Sequence, residues 1–175
     1  YEFEETENAN ILMRAEVLNR LANKNSPEII VTYPEALSEK VISQRSLASN
    51  TFTITLNERL DVTFLEEFLH NYDFEKTDFV YEAGQFAVRG GIIDIFSYAT
   101  EFPCRIELFG DDVDSIRLFN PEEQTSFRTL NQINIIPDVQ SKLIQETRES
   151  FFHFFRNKSL IWIKDVEFTL ESIGD

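Results

Sequence analysis

Two histidines, His70 and His153, and one cysteine, Cys104, are the side chains most suited to metal binding or nucleophilic chemistry. Zinc sites draw on paired Cys or His ligands a few residues apart. These three stand alone in the chain. The histidines are expected on a helix face or at the surface, and Cys104, in an alternating run, reads as a small core residue. A phosphate-cradling loop needs a Gly-rich turn ending in Gly-Lys-Ser/Thr. The glycines are Gly84, Gly90, Gly91, Gly110 and Gly174, and none precedes a lysine. Gly110-Asp111-Asp112-Val113-Asp114 lacks the twelve-position ligand spread of an EF-hand and reads as a hairpin turn. Ser97, Thr100 and Ser115 lack a nucleophile elbow or a base at the required spacing. With 31 acidic residues, chance carboxylate pairs are guaranteed, so spacing identifies no glycosidase-type couple. The expectation is a chain without a catalytic site, cofactor or metal.

The elements that would hold a binding site instead are the strands around that turn. Alternation puts Cys104, Ile106 and Leu108 on one strand face, and Arg105, Glu107 and Phe109 on the other. A three-residue loop, Gly110-Asp111-Asp112, returns Ile116 and Leu118 on the apolar face. Val113, Ser115 and Arg117 then return opposite Phe109, Glu107 and Arg105. A two-residue loop would pair Arg105 with Ile116 and mix the faces. The resulting Arg105–Arg117 pair costs a few tenths of a kcal/mol as directly opposed like charges. Two arginines with an aromatic match the composition of interface hot spots, and in an acidic protein would suit an acidic partner. Pattern alone favours a plain solvated face, with Glu107 neutralising one arginine and a neighbouring element covering Phe109. Upstream, Arg89 precedes Gly90-Gly91, a tight turn or bulge between strands. Asp94, inside Ile92-Ile93-Asp94-Ile95-Phe96, needs a hydrogen-bonding partner, because isolated buried charge is costly.

Around this stretch the chain changes character twice. Residues 9–23 read as an amphipathic helix, 28–33 as a buried parallel-type strand, and Pro34 opens a short helix. Residues 51–56 alternate as a strand, and Asp61 caps a helix to about 72 with Phe64, Leu65, Phe68 and Leu69 as its stripe. Strands follow at 77–82, 85–89, 91–96, 104–109 and 113–119. A strand end at 134–137, a helix over 141–155, a buried strand at 160–163 and a helix over 165–173 complete the pattern. The fold class is α+β: an antiparallel-sheet domain at 51–137, inserted between α/β, Rossmann-like segments at 1–50 and 138–175.

Bulk properties narrow the function. The chain has 175 residues, 42% of them hydrophobic, and a net charge of −15 from 31 acidic and 16 basic side chains. That charge disfavours nucleic-acid binding by the chain as a whole. A lone cysteine fits a reducing, cytoplasmic setting, and no apolar run approaches the roughly 20 residues needed to span a membrane. The acidic N-terminus is unlike a signal peptide. Without an initiator Met, a piece of something longer is expected.

Three strings resemble a known family. They are Phe86-Ala87-Val88-Arg89-Gly90-Gly91-Ile92-Ile93-Asp94-Ile95-Phe96, then Arg105-Ile106-Glu107-Leu108-Phe109-Gly110-Asp111-Asp112-Val113-Asp114-Ser115-Ile116-Arg117, and Asn120-Pro121-Glu122-Glu123-Gln124-Thr125-Ser126. Together they resemble the UvrB-homology module of the bacterial transcription-repair coupling factors, the Mfd family. UvrB itself has a looser version. A weaker resemblance covers the flanks, as two halves of the module's first domain interrupted by its second.

The resemblance implies that the middle domain binds UvrA, the damage-recognition protein of nucleotide excision repair. It implies partner-binding roles for Arg89, Arg105 and Phe109; Arg117 joins them by proximity in the hairpin register. It implies no catalysis in this stretch, while the full-length family protein is an ATP- and Mg-dependent DNA translocase that meets RNA polymerase and DNA through other domains. In the family the UvrA-binding face is masked by a distant domain until transcription engagement. The alternative is a DNA-contacting, UvrB-like domain in which the same arginines meet phosphates.

Overall fold

The computed structural model describes residues 13–22, 29–138, 148–155 and 159–174. At its centre is a six-stranded sheet whose strands lie side by side in chain order. Its strands are β3 (Glu75–Lys76), β4 (Gln85–Arg89), β5 (Ile92–Ile95), β6 (Cys104–Phe109), β7 (Asp112–Phe119) and β8 (Ser126–Thr129). All neighbours are antiparallel except β3 and β4. A separate antiparallel ribbon joins β2 (Phe52–Thr55) to β9 (Gln132–Ile135). With few helices and mainly antiparallel strands, the fold is α+β, as the sequence predicts.

One face of the sheet is the core. Phe86, Ile93, Ile95, Cys104, Ile106 and Ile116 are buried there by strand alternation. Helix α4 (Val62–Asn71) covers them with Leu65 and Leu69, both fully buried. Its start is fixed by Asp61, whose carboxylate accepts from the Phe64 N–H at 3.0 Å. Ile54 of β2 and Ile133 and Ile135 of β9 close the same cluster. Burying side chains of this size stabilises by roughly 1.5–3 kcal/mol each, so the apolar alternation decides which face turns inward.

The flanks meet each other. The two strands β1 (Lys40–Ile42) and β10 (Arg148–Ser150) pair antiparallel, Lys40 opposite Ser150. Ala15 and Leu18 of helix α1 (13–22) share a second cluster with Ile42, Leu47, Phe151 and Phe154. Leu47 comes from α3 (Gln44–Ser49), and the two phenylalanines from a 3-10 turn at Phe151–Phe154. Helix α2 (Pro34–Ser38) packs against α5 (Val166–Gly174). Tyr72 and Tyr98 pack against both clusters. Beside them Ser97 is fully buried, its hydroxyl accepting from the Ile136 N–H at 2.9 Å and donating to the Ile136 carbonyl at 3.2 Å.

Several expectations are corrected. Residues 29–33 and 160–163 form no strands; Ile29, Val31 and Trp162 are 94%, 92% and 88% exposed, because no neighbouring strand among the described residues pairs with them. The Rossmann-like parallel sheet expected of the flanks is therefore not seen there. Residues 77–82 are not a strand: β3 ends at Lys76, and only Val80 of the next stretch turns into the protein. The described part of the helix expected over 141–155 is β10 and the 3-10 turn; residues 141–147 lie outside the described residues. β1, α3 and β8 were not anticipated.

Candidate functional site

The face of the sheet opposite the core carries the charged side chains. Pairing sets Ala87, Asp94, Arg105 and Arg117 in one row across β4 to β7, and Arg89, Ile92, Glu107 and Ser115 in the next. Arg89, Arg105, Arg117 and Phe109 thus stand on one face by strand alternation. The predicted hairpin register holds from Cys104–Leu118 to Glu107–Ser115, including the Arg105–Arg117 pair.

Beyond Glu107 the register shifts, and here the expectation is corrected. Leu108 pairs with Val113 and Phe109 with Asp112, leaving Asp114 as the extra residue of a bulge. The loop is Gly110-Asp111, with Gly110 at φ +65°. The bulge reverses the alternation, so Val113 turns into the core and is 1% exposed, instead of sharing the outer face with Phe109. The 57–60 segment supports this kink. Val113 N–H donates to the Glu58 carbonyl, and Asn57 N–H donates to Val113, both at 2.9 Å.

Asp94 is the hub of the face. It is completely buried, and both oxygens accept from arginine. Arg105 grips it through Nε to Oδ1 at 2.7 Å and Nη2 to Oδ2 at 2.9 Å, a bidentate fork. Arg89 Nη2 reaches Oδ2 at 2.5 Å, and its Nη1 donates to the Asp78 carbonyl. The carboxylate holds the Arg105 guanidinium above its usual range, with the hydrogen bonds as the main cause. Asp94 is thus partnered, as its place in an apolar run requires.

The remaining groups frame this hub. Arg105 also donates to the Gln124 side-chain oxygen at 3.1 Å and carbonyl at 3.3 Å, and its guanidinium carbon lies 4.5 Å from the Phe119 ring centroid. Gln124 sits at φ +57° at the end of a turn in which Asn120 Oδ1 accepts from Glu122 and Glu123 N–H. The opposed arginines are reconciled by turning apart: Arg105 goes to Asp94, and Arg117 pairs with Glu107. The Ser115 hydroxyl also donates to Glu107, at 3.1 Å. Arg117 Nε is buried without a hydrogen-bond partner.

The surface that remains open carries Phe109, the arginines and Glu107, whose side chain is 33% exposed. Phe109 is 81% exposed, so no neighbouring element among the described residues covers it. Side-chain exposure is 35% for Arg89, 35% for Arg117 and 17% for Arg105. Arg89 stacks 5.1 Å from the centroid of Phe79, itself half-exposed. Phe79 and Gln124 were missed as members of the site. Phe79 lies in a stretch read as strand, and Gln124 matters through a backbone conformation that no periodicity announces.

Among the described residues no three His, Cys, Asp or Glu side chains are grouped to hold a metal, and no helix is long and apolar enough to cross a membrane. His70 lies edge-on to Phe86 at 5.3 Å, and His153 approaches Glu149 at 3.3 Å. Cys104 is a buried core residue.

Comparison with known proteins agrees with the geometry. A stretch of the transcription-repair-coupling factor of Bacillus subtilis (strain 168) is 39% identical over 125 residues, 71% of this chain and 10% of that protein. The Borreliella burgdorferi factor is 34% identical over 101 residues, 58% of the chain and 9% of that protein. The Escherichia coli (strain K12) factor is 27% identical over 109 residues, 62% of the chain and 10% of that protein. The chain spans about a tenth of the length of these relatives. The family described as the UvrB interaction domain matches residues 52–140, just over half of the chain and all of the charged face, and the chain belongs to that family.

Proposed function

We propose that the Arg89–Arg105–Arg117 face, with Phe109 at its end, is a docking surface for UvrA, and that the chain serves as a recruiting module in transcription-coupled excision repair. The exposed Phe109 carries this reading. Its ring is 81% in water at the end of the strand face that bears the three arginines, and an exposed aromatic sharing a face with arginines matches the composition of a hot spot. The family's description as an interaction domain and the coupling-factor relatives support it. In this reading 51–137 is the docking domain, working in the cytoplasm without cofactor or catalysis of its own. ATP and Mg, DNA and RNA polymerase would be handled by other parts of a longer coupling factor, and a distant domain would mask the face.

Phe109→Ala should weaken UvrA binding by about 2 kcal/mol, on the order of thirtyfold in affinity, with folding intact. Titration calorimetry with purified UvrA measures it. Unchanged affinity for Phe109→Ala and for Arg89→Ala would defeat the assignment. Phosphate binding by the same face is the weaker reading. Asp94 and Glu107 offset two of the three arginines, and the chain carries −15 overall. A salt titration of DNA binding should show none.

A further inference from the structure

We propose that Asp94 is the positioning residue of the docking face: it meets no partner itself, and acts by fixing the orientation of Arg89. The inference rests on the docking reading above. Asp94 is completely buried, so a partner cannot reach it. Arg105 makes four hydrogen bonds, to Asp94 and Gln124, and little of it is exposed. It is therefore the second member of a buried frame more than a contact. Arg89 is different. It is tied at one end of its guanidinium to Asp94 and Asp78, yet a third of the side chain remains in water.

Those two ties, with the Phe79 ring beneath, hold Arg89 in one orientation. A free arginine would lose rotamer freedom on meeting a partner; a pre-oriented one loses less. The same orientation keeps a partly exposed cation against the half-exposed Phe79 ring, suited to a carboxylate next to an apolar side chain on the partner. Asp94 thus exchanges buried charge for a preset cation, which explains an acid in the middle of Ile-Ile-Asp-Ile-Phe.

A double-mutant cycle on UvrA affinity tests it, with urea unfolding run in parallel. Asp94→Asn should weaken binding roughly tenfold or more in the wild-type background, and less than about threefold when Arg89 is already alanine. Arg89→Lys, which keeps the charge and cannot fork between Asp94 and Asp78, should bind nearly as poorly as Arg89→Ala. Equal losses from Asp94→Asn in both backgrounds, or wild-type affinity for Arg89→Lys, would overturn the positioning role. If Asp94→Asn does not fold, Arg89→Lys decides. If Arg89→Ala and Phe109→Ala both bind normally, the docking reading itself fails and the inference falls with it. If those two lose binding and the cycle is additive, only the inference fails.

Discussion

Asp94 faces Arg105 across β5 and β6, and both of its carboxylate oxygens are held by that one guanidinium at 2.7 and 2.9 Å. Arg89 adds a third bond to the same carboxylate from the next strand. The two arginines are therefore unequal in stability. Arg105→Ala removes the fork and leaves a fully buried charge with one partner, a change that costs about 3 kcal/mol. Arg89→Ala leaves the fork intact and removes a side chain that is one-third exposed, about 1 kcal/mol. Urea unfolding midpoints should fall in that order. Equal midpoints would show that the fork does not stabilise the sheet.

Gln124 is held at φ +57°, a region costly for any residue with a Cβ. Its side-chain oxygen accepts from Arg105, and its amide nitrogen donates to the Pro121 carbonyl at 2.6 Å and the Val80 carbonyl at 3.4 Å. Gln124→Ala loses these three side-chain bonds and keeps the strain, for about 1.5 kcal/mol. Gln124→Gly loses the same bonds and relieves the strain, so it should destabilise by about 1 kcal/mol less than alanine. Denaturant titration of the two variants gives the sign directly; alanine tolerated better than glycine would contradict the left-handed turn.

Much of this was legible in the residues because burial here follows alternation. Cys104, Ile106, Ile116 and Leu118 point as a period of two requires, and the Arg105–Arg117 pair follows from them. The Asp61 cap and the Leu65 and Leu69 stripe were equally plain. What alternation could not show was its own interruption. Val113 and Ile116 are three apart and both buried, which only the bulge at Asp114 allows. Nor could it show that Arg105 turns inward: the decisive partner, Asp94, lies eleven residues away on another strand. The Ile29–Val31 and Leu160–Ile163 runs have the composition of buried strands. Composition cannot supply the neighbouring strand that burial requires.

Gly84 and Gly90 both have positive φ, +85° and +61°, but their surroundings differ. A Cβ at Gly90 would meet nothing within 4 Å, so Gly90→Ala carries only backbone strain, about 1 kcal/mol. A Cβ at Gly84 would lie 2.3 Å from the Tyr98 hydroxyl oxygen. Tyr98 cannot simply swing away, since its ring stands edge-on to buried Phe74 at 5.7 Å. Gly84→Ala should therefore cost about 3 kcal/mol, strain and overpacking together. A thermal melt distinguishes the two; the double variant Gly84→Ala/Tyr98→Phe should recover little, because the ring carbon also lies within 2.8 Å.

Burial pushes the Cys104 thiol from its ordinary 9.0 up to about 12. The folded state thus holds this proton more tightly than the unfolded chain. Its contribution is fully present below pH 9 and is lost as pH rises from 9 toward 12. Each pH unit in that window lowers the unfolding free energy by about 1.4 kcal/mol. Tyr98, raised from 10.0 by its own burial, acts in the same sense above pH 10. Unfolding free energy measured from pH 8 to 11 should therefore turn downward near 9, and Cys104→Ala should delay that turn by about one pH unit. The same burial keeps the thiol unreactive at neutral pH, because the thiolate is the nucleophile. Native protein should resist a thiol reagent that labels the urea-unfolded chain fully; rapid labelling of the native state would place Cys104 outside the core.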